Sequence, residues 1–182
     1  MSSEKTFFRS TATVFLPLLL GVCSLTGCVA TLDGSTQRVA KDIPLETLAG
    51  HQTHLSSLRG TYVLAHFWAT WCATCHDELR SLDELAHAID TLTVVAIAVE
   101  DESAAVRDFI AREGITIPVL LDLGQARGAY GIPSIPFTVL LDPAGRRHPF
   151  IDPATGEVVS HLAVARSWAT PTAIERLRQS VR

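Results

Sequence analysis

Tyr62-Val63-Leu64-Ala65-His66-Phe67-Trp68-Ala69-Thr70-Trp71-Cys72-Ala73-Thr74-Cys75-His76 is the stretch on which the reading of this chain turns. It opens with an apolar run of the kind that forms a buried strand. Asp77 to Ile89, which follows, repeats its apolar positions at helical spacing. The periodicity therefore changes from strand to helix at two cysteines separated by two residues. Cys72 falls at or just before a helix N-terminus. Unpaired N–H groups and the positive end of the helix dipole stabilise a thiolate there and lower its pKa. The thiolate is the species that attacks a disulfide. A second thiol on the first helical turn can then attack the mixed disulfide and release the product.

Phe67-Trp68-Ala69-Thr70-Trp71-Cys72-x-x-Cys75 resembles the active-site stretch of thioredoxin-fold proteins. Its fuller Phe-Trp-Ala-Thr-Trp-Cys form is most similar to the TlpA/ResA-like thiol–disulfide oxidoreductases of bacterial envelopes. A lone Cys-x-x-Cys would carry little; the tryptophans, the strand before and the helix after make the match specific. The resemblance implies an α/β thioredoxin fold, a central mixed sheet flanked by helices on both faces. It implies Cys72 as the attacking cysteine, Cys75 as the resolving one and Trp71 beside the thiols. It implies no cofactor beyond the redox-active disulfide.

The 182 residues suffice for one domain and a short leader, and 47% hydrophobic with 19% charged residues suits a globular core. A formal charge of −4 offers no electrostatic case for nucleic acid. Residues 1–27 read as a signal peptide. Lys5 and Arg9 supply the positive start, and Val14 to Leu25 is apolar apart from Pro17, Gly21 and Ser24. That core is short for a membrane-spanning helix. It runs into Leu25-Thr26-Gly27-Cys28, which resembles the bacterial lipobox, in which the cysteine is lipidated and becomes the mature N-terminus. The expectation is a periplasmic-side protein of the cell envelope, lipid-anchored at Cys28 through a tether over 28–42. Cys23 leaves with the leader, so Cys72 and Cys75 are the remaining free thiols. The envelope permits disulfides, yet no spare pair exists for a structural one, and a working dithiol is the simplest use of this one.

The domain is expected over 43–182. Ile43 to Leu58 alternates apolar positions around Gly50, like the lead-in hairpin of the resembling family. Leu92 to Val99 is a continuous, largely β-branched run, the mark of a strand covered on both faces in a parallel sheet. Ser103 to Glu113 reads as a helix stopped by Gly114. Ile117 to Leu121 reads as a strand, Gln125 to Tyr130 as a short helix and Phe137 to Leu141 as a strand. Asp142-Pro143-Ala144-Gly145 and Asp152-Pro153-Ala154-Thr155-Gly156 are turn signals. Val158 to Val164 is a candidate edge strand. Thr170 caps a last helix with Pro171 in its first position. The right-handed crossover rule makes the first two strand–helix units parallel neighbours.

Gly131-Ile132-Pro133-Ser134-Ile135-Pro136-Phe137-Thr138 carries the second signature. Thioredoxin-like proteins place a cis-proline here, facing the dithiol. Pro136 matches that position and Pro133 is the other candidate. Ile135 and Pro136 would form an edge on which an extended client segment docks by strand addition. The chain also departs from the family's pattern. Thioredoxins carry an aspartate two residues before the first tryptophan; here it is His66. ResA-like members carry an acid just after the second strand, where Glu100 and Asp101 stand, so either is a candidate base for Cys75. The rival role for both is capping of the Ser103 helix. Ala73-Thr74 replaces a dipeptide that ends in proline in most relatives. Nothing charged lies between the cysteines, and weak thiolate stabilisation favours a reductant over an oxidant.

The same residues admit rivals. Cys72-Ala73-Thr74-Cys75-His76 is also a c-type haem attachment string, and Cys72, Cys75 and His76 could ligate copper or zinc. Against haem stand the preceding strand, the Trp-x-x-Trp pattern and Met1 as the one methionine. Cys-x-x-Cys alone supplies half a tetrahedral site. A peroxidase with Cys72 as nucleophile lacks the Thr-x-x-Cys spacing of peroxiredoxins. The expected partners are client proteins with disulfides and a membrane thiol carrier as electron donor, in a monomeric protein serving cytochrome c maturation. Trp168 is expected to pack rather than to touch substrate.

Overall fold

A computed structural model describes residues 39–182. The signal peptide over 1–27, the lipidation site Cys28 and the tether up to Arg38 lie outside the described residues. The lead-in forms a hairpin, β1 (Pro44–Thr47) and β2 (Gln52–His54), followed by a 3-10 turn over Leu55–Leu58. Next come β3 (Tyr62–Trp68), α1 (Ala73–Ala88), β4 (Leu92–Ala98) and α2 (Ser103–Glu113). They are followed by β5 (Val119–Asp122), α3 (Ala126–Tyr130), β6 (Phe137–Leu141) and β7 (Arg147–His148). The short strands β8 (Phe150–Ile151) and β9 (Val158–Val159) and the helix α4 (Pro171–Ser180) complete the chain.

Seven strands form one mixed sheet in the order β2-β1-β5-β4-β3-β6-β7. β3 and β5 flank β4 in parallel, while β6 returns antiparallel to β3 with His66 opposite Thr138 and Phe67 opposite Phe137. The architecture is therefore the α/β arrangement expected, with helices on both faces. Alternate residues of β3 divide between the two cores. Leu64 and Trp68 pack with residues of α1, α2 and α4, and Val63, Ala65 and Phe67 pack with Ala126 and Tyr130 of α3. Burial on both sides is what the unbroken apolar runs of β3 and β4 encode. His66, in phase with Leu64 and Trp68, thereby faces the α1 side.

Gly114 ends α2 in the left-handed conformation (φ 67), and its N–H caps the Ile110 carbonyl. Thr170 caps α4 by accepting the Ala173 N–H at 3.1 Å. Two expectations are corrected. First, 158–164 adds no edge strand to the main sheet. Val158–Val159 pairs with β8 in a separate ribbon, and Leu162 makes a single bridge to Thr138. Val158 is exposed while Val159 and Leu162 pack on the core, and the segment's pairing goes to β8 and to that one bridge. Second, the packed chain begins before Ile43. Val39 bridges Arg146, the Ala40 N–H donates to the Gly145 carbonyl at 2.9 Å, and Asp42 accepts from Ser56 at 2.7 Å. Among the described residues, no helix is long and apolar enough to cross a membrane.

An ion pair helps to fasten the segment between β9 and α4. Arg166 donates from Nε and a terminal nitrogen to the two oxygens of Asp152, both at 2.9 Å, where the carboxylate is almost fully buried. The guanidinium, chiefly by hydrogen bonding, pulls the Asp152 pKa down to about 2. A depressed acid contributes stability that is present above its unfolded value, near 4, and is lost as pH falls through about 2. Arg166→Ala leaves a buried unpaired charge and is expected to cost about 3 kcal/mol at pH 7, with the difference from wild type shrinking towards pH 2. Thermal melts across that range check it.

Candidate active site

The site begins where β3 ends. Helical spacing on α1 puts Cys75, Glu78, Leu79, Leu82 and Leu85 on its buried stripe, facing the sheet. Cys72 is the N-cap residue, in extended conformation, and the Cys75 N–H donates to its carbonyl at 2.9 Å. The two cysteines are joined as a disulfide. Cys72 keeps 7% of its surface exposed while Cys75 has none, so an incoming sulfur meets Cys72 first. The Thr74 hydroxyl lies 3.5 Å from Cys72 Sγ, close enough to give a thiolate one weak hydrogen bond. Trp71 beside it is 60% exposed.

The turn that carries Cys72 is held from two directions. Asp101 accepts the Thr70 N–H at 2.6 Å and the Thr70 hydroxyl at 2.7 Å. His76 Nε2 donates to the Thr70 carbonyl at 2.8 Å, and its ring lies 4.6 Å from that of Phe109 on α2. A carbonyl only accepts, so Nε2 carries the hydrogen. Glu100, with φ at 56, turns outward to an ion pair with Arg127 that holds its pKa below the ordinary value. Its backbone carbonyl sits 3.5 Å from Trp71 Nε1. The two acids after β4 thus fasten the turn and the surface, and their oxygens are occupied. Asp101→Ala leaves the Thr70 N–H unpaired, at a cost of about 1–3 kcal/mol. Exchange should slow a few-fold with the midpoint of its pH profile unmoved, as steady-state rates across pH will show.

The buried carboxylate of the site is one that the sequence reading passed over. Glu78, one turn beyond Cys75, is 2% exposed. Its Oε1 accepts from Trp168 Nε1 at 2.7 Å. Oε2 has no hydrogen-bond partner among the described residues. Burial pushes its pKa up to about 7, with the Trp168 hydrogen bond and Arg166 holding it back. The signal was available: a glutamate stands on the apolar stripe of α1, three residues after Cys75 and four before Leu82. Trp168 is fully buried, as expected, but it also serves as a hydrogen-bond donor to the acid.

The Ile135–Pro136 peptide is cis and the Pro133 position is not. Register places Pro136 opposite the C-terminal end of β3, the end that leads to Cys72. Sequence separation hides this meeting of ends, which the antiparallel return of β6 produces. Among the described residues, no group of three His, Cys, Asp or Glu side chains could hold a metal ion.

A family model described as the AhpC/TSA family matches residues 36–148. The thiol–disulfide oxidoreductase ResA of Geobacillus thermodenitrificans is 33% identical over 144 residues, covering 74% of this chain and 81% of that protein. The thioredoxin-like protein YneN of Bacillus subtilis is 36% identical over 110 residues, 58% of this chain; the chain spans 65% of YneN's length. Among solved structures, a thiol:disulfide interchange protein of the thioredoxin family from Chlorobium tepidum superposes with a TM-score of 0.63 at 23% identity. It covers 80% of this chain and 97% of its own. That likeness shows the fold.

Proposed function

Since the chain belongs to the AhpC/TSA family and, within it, to the ResA-like thiol–disulfide oxidoreductases, we propose that it works as a disulfide reductase of client proteins. The observation that carries this reading is a cysteine pair at the N-terminus of α1 with a buried carboxylate one turn further on, one of whose oxygens has no partner among the described residues. In the reduced protein the Cys72 thiolate attacks a client disulfide. An S–S bond forms between Cys72 and the client, and the client's other sulfur leaves as a thiolate. Cys75 gives its proton to Glu78 and attacks Cys72 Sγ. That step closes the Cys72–Cys75 disulfide and releases the client's second thiolate, which takes up a proton. Two electrons pass from the protein dithiol to the client. A membrane dithiol carrier restores the reduced state.

Ile135 and Pro136 form the docking edge and Trp71 the apolar contact beside the sulfurs. Of the acids considered from sequence, Asp101 holds the turn and Glu100 pairs with Arg127 at the surface, and Glu78 takes the part of base. No cofactor beyond the dithiol enters this scheme. The protein acts as a monomer on the periplasmic side of the envelope, held by lipid on Cys28, with cytochrome c maturation as the process served. Mass spectrometry of the membrane fraction checks the anchor: an unmodified Cys28 thiol removes it. The direction of transfer is tested by equilibrium with glutathione and by insulin reduction. A potential closer to thioredoxin's about −270 mV than to the about −120 mV of strong oxidants is expected; the opposite result reverses the direction.

A further inference from the structure

Beside Glu78, β3 contributes a second buried ionisable group, His66, which is fully inaccessible. Its Nδ1 lies 2.9 Å from Thr138 Oγ1, the residue opposite it on β6. The same nitrogen lies 4.0 Å from Glu78 Oε1. Its Nε2, like Glu78 Oε2, has no hydrogen-bond partner among the described residues. A separation of 4.0 Å is too long for a hydrogen bond, so no proton passes directly between ring and carboxylate. What they share is an electrostatic contact between two buried side chains, where partial charges act more strongly than in water.

The Thr138 hydroxyl both donates and accepts, so it satisfies Nδ1 in either neutral tautomer. With hydrogen on Nδ1, the ring donates to Thr138 and turns its positive end towards Glu78. With hydrogen on Nε2, Thr138 donates to Nδ1 and a lone pair faces Glu78. The first arrangement favours a carboxylate and the second a carboxylic acid. Oε1 keeps the Trp168 N–H in both states, which leaves Oε2 as the seat for the proton.

We propose that His66 is a positioning residue for the proton of Glu78: its imidazole stays neutral and changes tautomer as Glu78 gains or loses that proton. The proposal rests on Glu78 being the acid that serves Cys75. Burial, which pushes the His66 pKa down to about 3, keeps the ring uncharged wherever the thiol chemistry runs. The charged group that acts on Glu78 from another element is Arg166 before α4, whose charge Asp152 balances; Cys75 lies one turn back on the same helix.

The oxidised full chain isolates the effect, because neither cysteine titrates in it. Long-range proton–nitrogen NMR on histidine-labelled protein reads the tautomer from about pH 5 to about pH 9. The expected result is a change from Nε2–H to Nδ1–H with rising pH, centred near 7 and with no imidazolium signal; Glu78→Gln should hold one tautomer throughout. A fixed tautomer in the wild type, or the same change in Glu78→Gln, overturns the proposal. Kinetics give the second readout. His66→Asn keeps a donor close to the Nδ1 position and should leave the midpoint of the pH–rate profile in place. His66→Leu removes it and should raise the midpoint by about one unit. A folded His66→Leu protein with an unmoved midpoint overturns the role of His66. A Glu78→Gln protein that keeps the wild-type profile overturns the base assignment instead, so the two failures are distinguishable.

Discussion

Replacing Cys72 by serine is expected to lower disulfide exchange by at least about 10³-fold. The hydroxyl of serine is a weak nucleophile at neutral pH, and among the described residues the side chain at position 72 has only the Thr74 hydroxyl as hydrogen-bond partner, not a base. Cys75 cannot stand in, because its sulfur is inaccessible behind Cys72. The fold should be little changed, since the Cys72 carbonyl accepts the Cys75 N–H through the backbone. Cys75→Ser behaves differently. Attack by Cys72 still occurs, but the mixed disulfide no longer resolves. Non-reducing gels of each variant incubated with a disulfide-bonded client should show no adduct for Cys72→Ser and an accumulating adduct for Cys75→Ser. Normal turnover by Cys72→Ser would sink the dithiol mechanism.

Glu78→Gln should separate activity from stability. The resolving thiol loses its proton acceptor, and a positioned base contributes about 10²–10⁴-fold. A fall of about 10²-fold at pH 7 is therefore expected, with loss of the inflection near that pH. Stability responds in the opposite sense. The folded-state pKa of Glu78 is raised from 4.5 to about 7. The stability contributed by the protonated acid is fully present below its unfolded value and is lost as pH rises through about 7. A shift of that size amounts to roughly 3 kcal/mol, lost by the wild type between about pH 4 and about pH 8. Glutamine is neutral at every pH and keeps an oxygen for Trp168. The stability gap between variant and wild type should therefore move in favour of glutamine by that amount across the range. Denaturant melts at several pH values measure it, and parallel curves for the two proteins would refute the raised pKa. An acid retained against this cost fits a functional position, where stability and activity pull apart.

Local patterns made much of this molecule legible. Tyr62–Trp68 and Leu92–Ala98 read as strands because both faces are covered, and Ser103–Glu113 ended where Gly114 could adopt a left-handed backbone. Thr170-Pro171 gave the last helix its start. The lead-in was less readable. Val39 to Asp42 looks like tether because its residues are polar or small, yet its backbone and Asp42 find partners at Gly145 and Ser56 that no local pattern announces. Val158 to Val164 failed as a strand for the converse reason. Weak alternation marks residues that could pair, and the main sheet offered that segment a single bridge at Thr138.

The acids show the same boundary. Glu100 and Asp101 stood at the expected junction, but the loop geometry turned one towards Arg127 and the other onto Thr70. Glu78 owes its raised pKa to burial by distant parts of the chain, while Trp168, 90 residues away, donates to it and holds the rise back.

The amino-acid order alone determined the two sulfurs, their place at a helix start and the α/β frame, because each depends on neighbours within a few residues. Only the packed molecule decided which carboxylate is buried one turn beyond Cys75, and that His66, held by Thr138, stands beside it. Those choices follow from the register of β3 against β6 and from the path of the chain between β9 and α4. Desolvation, which sets the pKa values of the site, comes into being only when these distant pieces close over one another.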